Sequence, residues 1–329
     1  MTPNAPWITK TITRLCVLAS LAALAMPAMA CPIPVYQYSL EWWEQDPYEI
    51  YVFDNGERSE EQDAVIDRLQ RISEGRGDVP ANLRLRLVQS ESEDRLRAHS
   101  ALRGEEPESF PWMAVYYPSM SSDNRVPVWM GEVNEENMDA LVNSPMRDEV
   151  SQLLADRVSV VWVLLESGDS RADDAAYDRL TRELDRLEDT LVPPDPSAYG
   201  FDIEITPVRF ETKRLSRDDE AEQMFVRMLM NTEADLEDYA DEPIVFPIFG
   251  RGLIMNALVG RGINAYMLLD TGEFLTGACS CTVKSLNPGV DLLTALDWDA
   301  VVEPMSEEFT TEPGGLGGFI DSTDEAGNL

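Results

Sequence analysis

Histidine is almost missing from this chain: His99 is the only one among 329 residues, and it lies in the charged stretch 91–102. A solvated surface side chain is the expected role for it there. With one imidazole and no Gly-x-Ser-x-Gly run, the sequence offers neither a hydrolase triad nor a histidine-rich metal site. Phosphate-cradling glycine loops are missing too, since Gly314-Gly315-Leu316-Gly317-Gly318 stands in an acidic tail with no helix after it.

Basic residues are scarce. Lys and Arg number 26 against 61 Asp and Glu, for a net charge of −35. A surface this negative repels phosphate backbones and anionic head groups, which excludes nucleic acid as a partner. The acidic clusters, such as Asp218-Asp219-Glu220, lack the spacing of a calcium loop and read as solvated helix faces. Long apolar runs are scarce as well. The one candidate, residues 15–26, is cut short by Pro27, whereas a membrane span needs about 20 apolar residues. Four cysteines are too few for a disulfide scaffold.

What is present begins with an export signal. Lys10 and Arg14 precede the apolar run, and Ala28-Met29-Ala30 supplies small residues for cleavage. Residues 1–30 are therefore expected to be a signal peptide, leaving an exported protein of the periplasm or cell surface with no transmembrane segment. Removing Lys10 and Arg14 leaves 24 basic residues against 61 acidic ones, a net charge of −37. Cys31 becomes the first mature residue. Ala28 stands where a lipoprotein box has Leu, so ordinary cleavage is expected, with an acyl anchor on Cys31 as the competing outcome.

Periodicity then shows one plan twice. Residues 48–53 read as a buried strand, 61–72 as a helix, 82–88 as a strand with one wet face, and 91–102 as a polar helix. Residues 112–117 and 126–133 follow as a hairpin, and 135–156 as helical material broken at Ser144-Pro145. The second half repeats the order: strand 159–165, amphipathic helix 173–191, strand 201–210, helix 218–236, strands 244–249 and 255–259, helix 262–274. Two domains are expected, at 31–157 and 158–303, followed by a disordered tail at 304–329.

The repeated β-α-β-α-β-β-α order resembles the thioredoxin family, as does a proline ahead of each third strand, Pro111 and Pro243. The resemblance implies an α/β fold of two tandem thioredoxin-like domains, each a mixed sheet with helices on both faces. It departs from the family where the family's chemistry lies. The stretches after each first strand, Asp54-Asn55-Gly56-Glu57 and Glu166-Ser167-Gly168-Asp169, hold no Cys-x-x-Cys. Two longer segments, CPIPVYQYSLEWW from Cys31 and CSCTVKSLNPGVDLL from Cys279, resemble hallmarks of a group of uncharacterised exported bacterial proteins.

Those two segments contain Cys31, Cys279 and Cys281, the cysteines that follow the signal. A structural disulfide from Cys31 to Cys279 or Cys281 is the first expectation, because secretion favours oxidation. Exchange of Cys31 between the other two would instead make a thiol–disulfide oxidoreductase or redox switch. Three thiolates could also hold Cu(I), assisted by Met224, Met228 and Met230, although helical spacing suits those methionines to core packing. Tyr36, Trp42 and Trp43 form an aromatic stripe, either a cap over the first sheet or the wall of a binding groove. The function expected is a non-catalytic binding or accessory protein that needs no cofactor. Its partner would be another exported or membrane protein.

Overall fold

The structure is a computed structural model, and it describes residues 32–89, 110–118, 127–279 and 283–302. The expected signal peptide, Cys31, the helix expected at 91–102 with His99, Cys281 and the expected tail all lie outside the described residues. Among the described residues no helix is long and apolar enough to cross a membrane.

The chain is a mixed α/β protein with two sheets. The first contains β1 (Tyr48–Asp54), β2 (Leu83–Gln89), β3 (Trp112–Tyr116) and β4 (Trp129–Glu132), in the order β2-β1-β3-β4. β1 runs parallel to β2 and antiparallel to β3, and β3 is antiparallel to β4. The second sheet follows the same rule with β5 (Val160–Leu165), β6 (Phe210–Leu215), β7 (Ile244–Phe249) and β8 (Leu253–Ile254). β5 is parallel to β6 and antiparallel to β7, which is antiparallel to β8. Two short strands extend it: β9 (Leu258–Val259) beside β7 and β10 (Val290–Asp291) beside β8. The Phe110–Pro111 peptide bond is cis.

Local chemistry explains the helices. α1 (Val35–Trp42) is followed by α2 (Glu60–Ser73), which opens on a capping box: Ser59 accepts from Gln62 N, and the Gln62 side chain accepts from Ser59 N. The break expected at Ser144-Pro145 separates α3 (Glu135–Val142) from α4 (Pro145–Ala155), with Ser144 as N-cap and Pro145 in the first turn. α5 (Ser170–Thr190) buries Ala176, Leu180, Leu184 and Leu187 along one stripe. α6 (Gln223–Met230) and α7 (Ala265–Thr276) complete the second half.

Two expected elements are corrected. The strand expected at 201–210 begins only at Phe210 and runs to Leu215. Thr206 N and Glu204 O bond the Gln37 side chain instead of a strand partner, and Pro207 has no N–H to offer a ladder. The helix expected at 218–236 shrinks to α6 because Asp219 closes a tight turn on Ala221 N and the backbone stops at Asn231.

The core sits in two large clusters. One joins the facing sides of both sheets, from Ile50, Val52 and Met113 to Val161, Val163 and Phe246, with α2, α3, α4 and α6 among them. The other covers the far side of the second sheet, where Trp162 and Phe249 meet α5, α7 and α1. α1 was expected to cap the first sheet. Instead Ile33, Val35 and Trp43 bury themselves with Val160 and Leu180 of the second half, and only Leu40 of the helix joins the shared cluster.

Candidate functional site

The two strand-to-helix loops come first, because the resemblance expected from the sequence would place a family's chemistry there. In the second half, Ser167 N and Oγ donate to Asp173 Oδ1 at 2.8 Å, and Gly168 N donates to Asp173 Oδ2 at 3.1 Å. Asp173 is 2% exposed. Asp169 Oδ1 accepts from Arg171 N and Ala172 N. Four N–H groups that could stabilise a thiolate or bind an anion around this helix start, those of Ser167, Gly168, Arg171 and Ala172, are thus taken by the carboxylates of Asp169 and Asp173. In the first half, Asp54 accepts from Gly56 N, Asn55 from Glu57 N and Ser59 from Gln62 N. Both loops are closed by their own side chains.

The two hallmark segments meet. Pro34 pairs with Ala278 in an antiparallel bridge, flanked by Cys279 N donating to Ile33 O at 2.9 Å and Val35 N donating to Gly277 O at 3.1 Å. Cys279 is 1% exposed and lies in the second core cluster with Ile33. Cys31 and Cys281 are outside the described residues, so their sulfurs are not placed.

Below this bridge runs a polar seam. Arg251 Nε donates to Leu40 O at 2.9 Å, satisfying a carbonyl that the end of α1 would otherwise leave open, and its Nη1 meets Asp299 Oδ1 at 2.7 Å. Glu41 has a fully buried side chain and is paired by Arg157 Nη1 at 3.0 Å. Arg157 takes the left-handed backbone conformation at φ 63 to end α4. Further on, Leu292 O accepts from Gln45 Nε2 and Asn82 Nδ2, each at 3.2 Å. Thr294 N donates to Asn82 Oδ1, and Tyr48 Oη donates to Asp291 O at 2.8 Å. The strap 290–294 therefore extends the second sheet while first-half side chains hold its backbone.

Three buried charged side chains, Arg147, Glu222 and Asp291, complete the seam. Arg147 donates to Leu293 O at 2.7 Å and to Leu141 O at 2.8 Å, and burial lowers its pKa to about 10. It stays charged at neutral pH. Glu222 of the second half caps the start of α4, accepting from Met146 N at 2.6 Å and from the Ser144 hydroxyl. Lys284 Nζ bonds Asp291 Oδ2 at 2.6 Å, Asp46 Oδ2 at 3.1 Å and Glu44 O at 2.5 Å. Burial outweighs that pairing and pushes the Asp291 carboxyl up to about 6. Its Oδ1 is buried without a hydrogen-bond partner.

The aromatic stripe is core. Tyr36 is 3% exposed and its hydroxyl, raised in pKa by burial, donates to Thr206 O. Trp43 is 4% exposed and sits edge-on to Tyr38. Trp42 is half-buried beside the same tyrosine. Met224, Met228 and Met230 are buried, and among the described residues no group of three or more His, Cys, Asp or Glu could hold a metal ion.

Gln45, Asn82, Arg147, Arg251, Lys284 and Asp291 were not expected as site residues. The one available signal was the unusual VKSLNPGVDLL segment, which contains two of them. No family model and no curated protein matches this chain.

Proposed function

We propose that this chain is an exported, non-catalytic binding or accessory protein built on two thioredoxin-like sheets, its ends stapled by a disulfide between Cys31 and Cys281. The Pro34–Ala278 bridge carries the reading. Cys31 lies three residues before Pro34 and Cys281 three residues after Ala278, so a ladder continued in register matches the two by count. Residues directly opposite in such a ladder have Cα atoms about 4.5–5.5 Å apart, inside the span a disulfide bridges. Cys279 stands opposite Ile33 instead, with its side chain in the core.

The thioredoxin-like assignment is supported by the order of the first four strands, which is the same in both sheets, in keeping with the element order repeated along the sequence. The non-catalytic assignment is supported by the two self-closed loops, which hold no sulfur and whose own side chains accept from Gly56, Gln62, Gly168, Arg171 and Ala172 N–H groups. A bridge closing a loop of roughly 250 residues stabilises by about 5 kcal/mol in the entropic treatment. Export, from the character of residues 1–30, provides the oxidising compartment.

The test is equilibration of the purified protein in glutathione buffers across a range of redox poise, followed by acid quench and alkylation. A staple keeps one bridge pattern until a single reducing threshold. Two bridge isomers that interchange with the buffer would replace this reading with a thiol–disulfide switch.

A further inference from the structure

β6 ends one side of the second sheet and, among the described strands, pairs with β5 alone. Glu166 N donates to Leu215 O at 2.9 Å and Ser159 N to Arg209 O at 2.8 Å, so the main chain at Arg209 and Leu215 turns towards β5. Direction alternates along a strand. Glu211 and Lys213 therefore turn the same way, and Phe210, Thr212 and Arg214 turn outward. The Phe210 N–H agrees, because it donates to the Glu188 carboxylate of α5. What remains on the open edge is the Phe210 carbonyl and both main-chain groups of Thr212 and of Arg214. Among the described residues nothing bonds them.

These groups are self-complementary. Two copies of β6, antiparallel about a two-fold axis at Thr212, set Thr212 opposite Thr212, Phe210 opposite Arg214 and Glu211 opposite Lys213. Each Thr212 N–H then meets the Thr212 carbonyl of the second copy, and each Arg214 N–H meets a Phe210 carbonyl. Only the Arg214 carbonyl is left over, opposite the N–H that Glu188 already holds. Side chains fit the same register, since Glu211 and Lys213 carry opposite charge and their side chains are 39% and 24% exposed. The equivalent edge of the first sheet lacks this property. On β2, Leu85 N donates to Ser73 Oγ at 3.0 Å and Leu83 N to Ala81 O at 2.8 Å. Pairing two copies about Leu85 would also set Arg84 against Arg86, and like charges directly opposite destabilise a sheet.

We propose that β6 is the interface of a homodimer, in which two copies of this chain join edge to edge about Thr212 and one sheet continues across the two-fold axis. The chain's net charge of −35 opposes association. At about 0.15 M salt that repulsion is screened beyond about 8 Å, whereas Glu211 and Lys213 meet directly across the seam. The interface goes beyond the Cys31–Cys281 staple, which stands whether or not the copies pair.

Sedimentation equilibrium of the purified mature protein in about 0.15 M salt should show a reversible monomer–dimer equilibrium. Lys213→Glu sets acid against acid at both ends of the seam, and Glu211→Lys sets base against base. Each variant alone should dimerise with affinity weaker by about tenfold or more. Mixed in equal amounts, the two variants oppose unlike charges at both positions and should pair as tightly as wild type. A folding defect in either variant cannot produce that recovery. Thr212→Pro removes an outward N–H that no described residue uses, so it should give a monomer of unchanged melting temperature, and the mixture decides if this variant misfolds. Monomer at every concentration, which would leave the edge to a different chain, would overturn the proposal. So would a mixture no tighter than its components, or a dimer that survives denaturant without reductant.

Discussion

The two sheets share one strand order and differ in how they are covered. Every residue of β5, VVWVLL, is buried, because layers lie on both of its faces. The equivalent strand β1, YEIYVFD, places Glu49 on its outer face, where Arg84 Nη1 and Arg86 Nε hold the carboxylate at 3.0 and 2.9 Å. The smaller cluster there contains Phe53, Val88, Ala114 and Tyr116. The second half has also drawn to itself both ends of the described residues, α1 on its far face and the strap 290–294 at its edge. The same topology thus yields one sheet as the anchor and another that helps to clamp the strap through Tyr48, Asn82 and Arg147.

Five substitutions would break or sharpen that contrast. Trp162→Ala, in the doubly covered sheet, should cost about 3–5 kcal/mol in urea unfolding. Trp162→Phe should cost less than about 1.5 kcal/mol, since the indole N–H is buried without a partner. Equal losses from the two would contradict the packing described.

Asp291→Asn tests the seam through pH. The folded carboxyl is raised to about 6 from a usual 3.8, so its protonated form adds stability below the usual value, and that stability is lost as pH rises through 6. The loss is about 2–3 kcal/mol at full ionisation. Relative to wild type, Asp291→Asn should therefore gain ground between pH 4 and pH 7, read from urea midpoints. A difference that stays flat over that interval would show that burial does not govern this carboxylate.

The loops supply the two smaller effects. Asp173→Ala removes the acceptor for Ser167 and Gly168 and should cost about 2 kcal/mol. Ser59→Ala removes one cap in the first half and should cost about 1 kcal/mol. If the order were reversed, the two loops would not be closed to the degree their hydrogen bonds indicate.

The regular part of the fold was legible where a single period dominates. β5, β7 and the buried stripe of α5 follow directly from apolar spacing, and the α3–α4 break follows from Ser144-Pro145. β6 was misplaced because FETKRL is half charged, as an edge strand can be, while the apolar residues just before it pack as irregular backbone. The position of α1 could not be read, since an aromatic stripe has the same spacing whichever sheet it covers. The seam was hidden for a related reason. Several of its bonds join residues more than 200 positions apart, such as Gln45 with Leu292 and Arg251 with Leu40, and no local period records them. Only the rarity of the two terminal motifs pointed there.

A non-reducing peptide map of the purified mature protein is the most direct measurement. The backbone register at Pro34 and Ala278 predicts one linked pair, the Cys31 peptide joined to the Cys281 peptide. A Cys31 peptide joined to Cys279, or carrying an acyl chain in place of any bridge, would contradict the stapled ends.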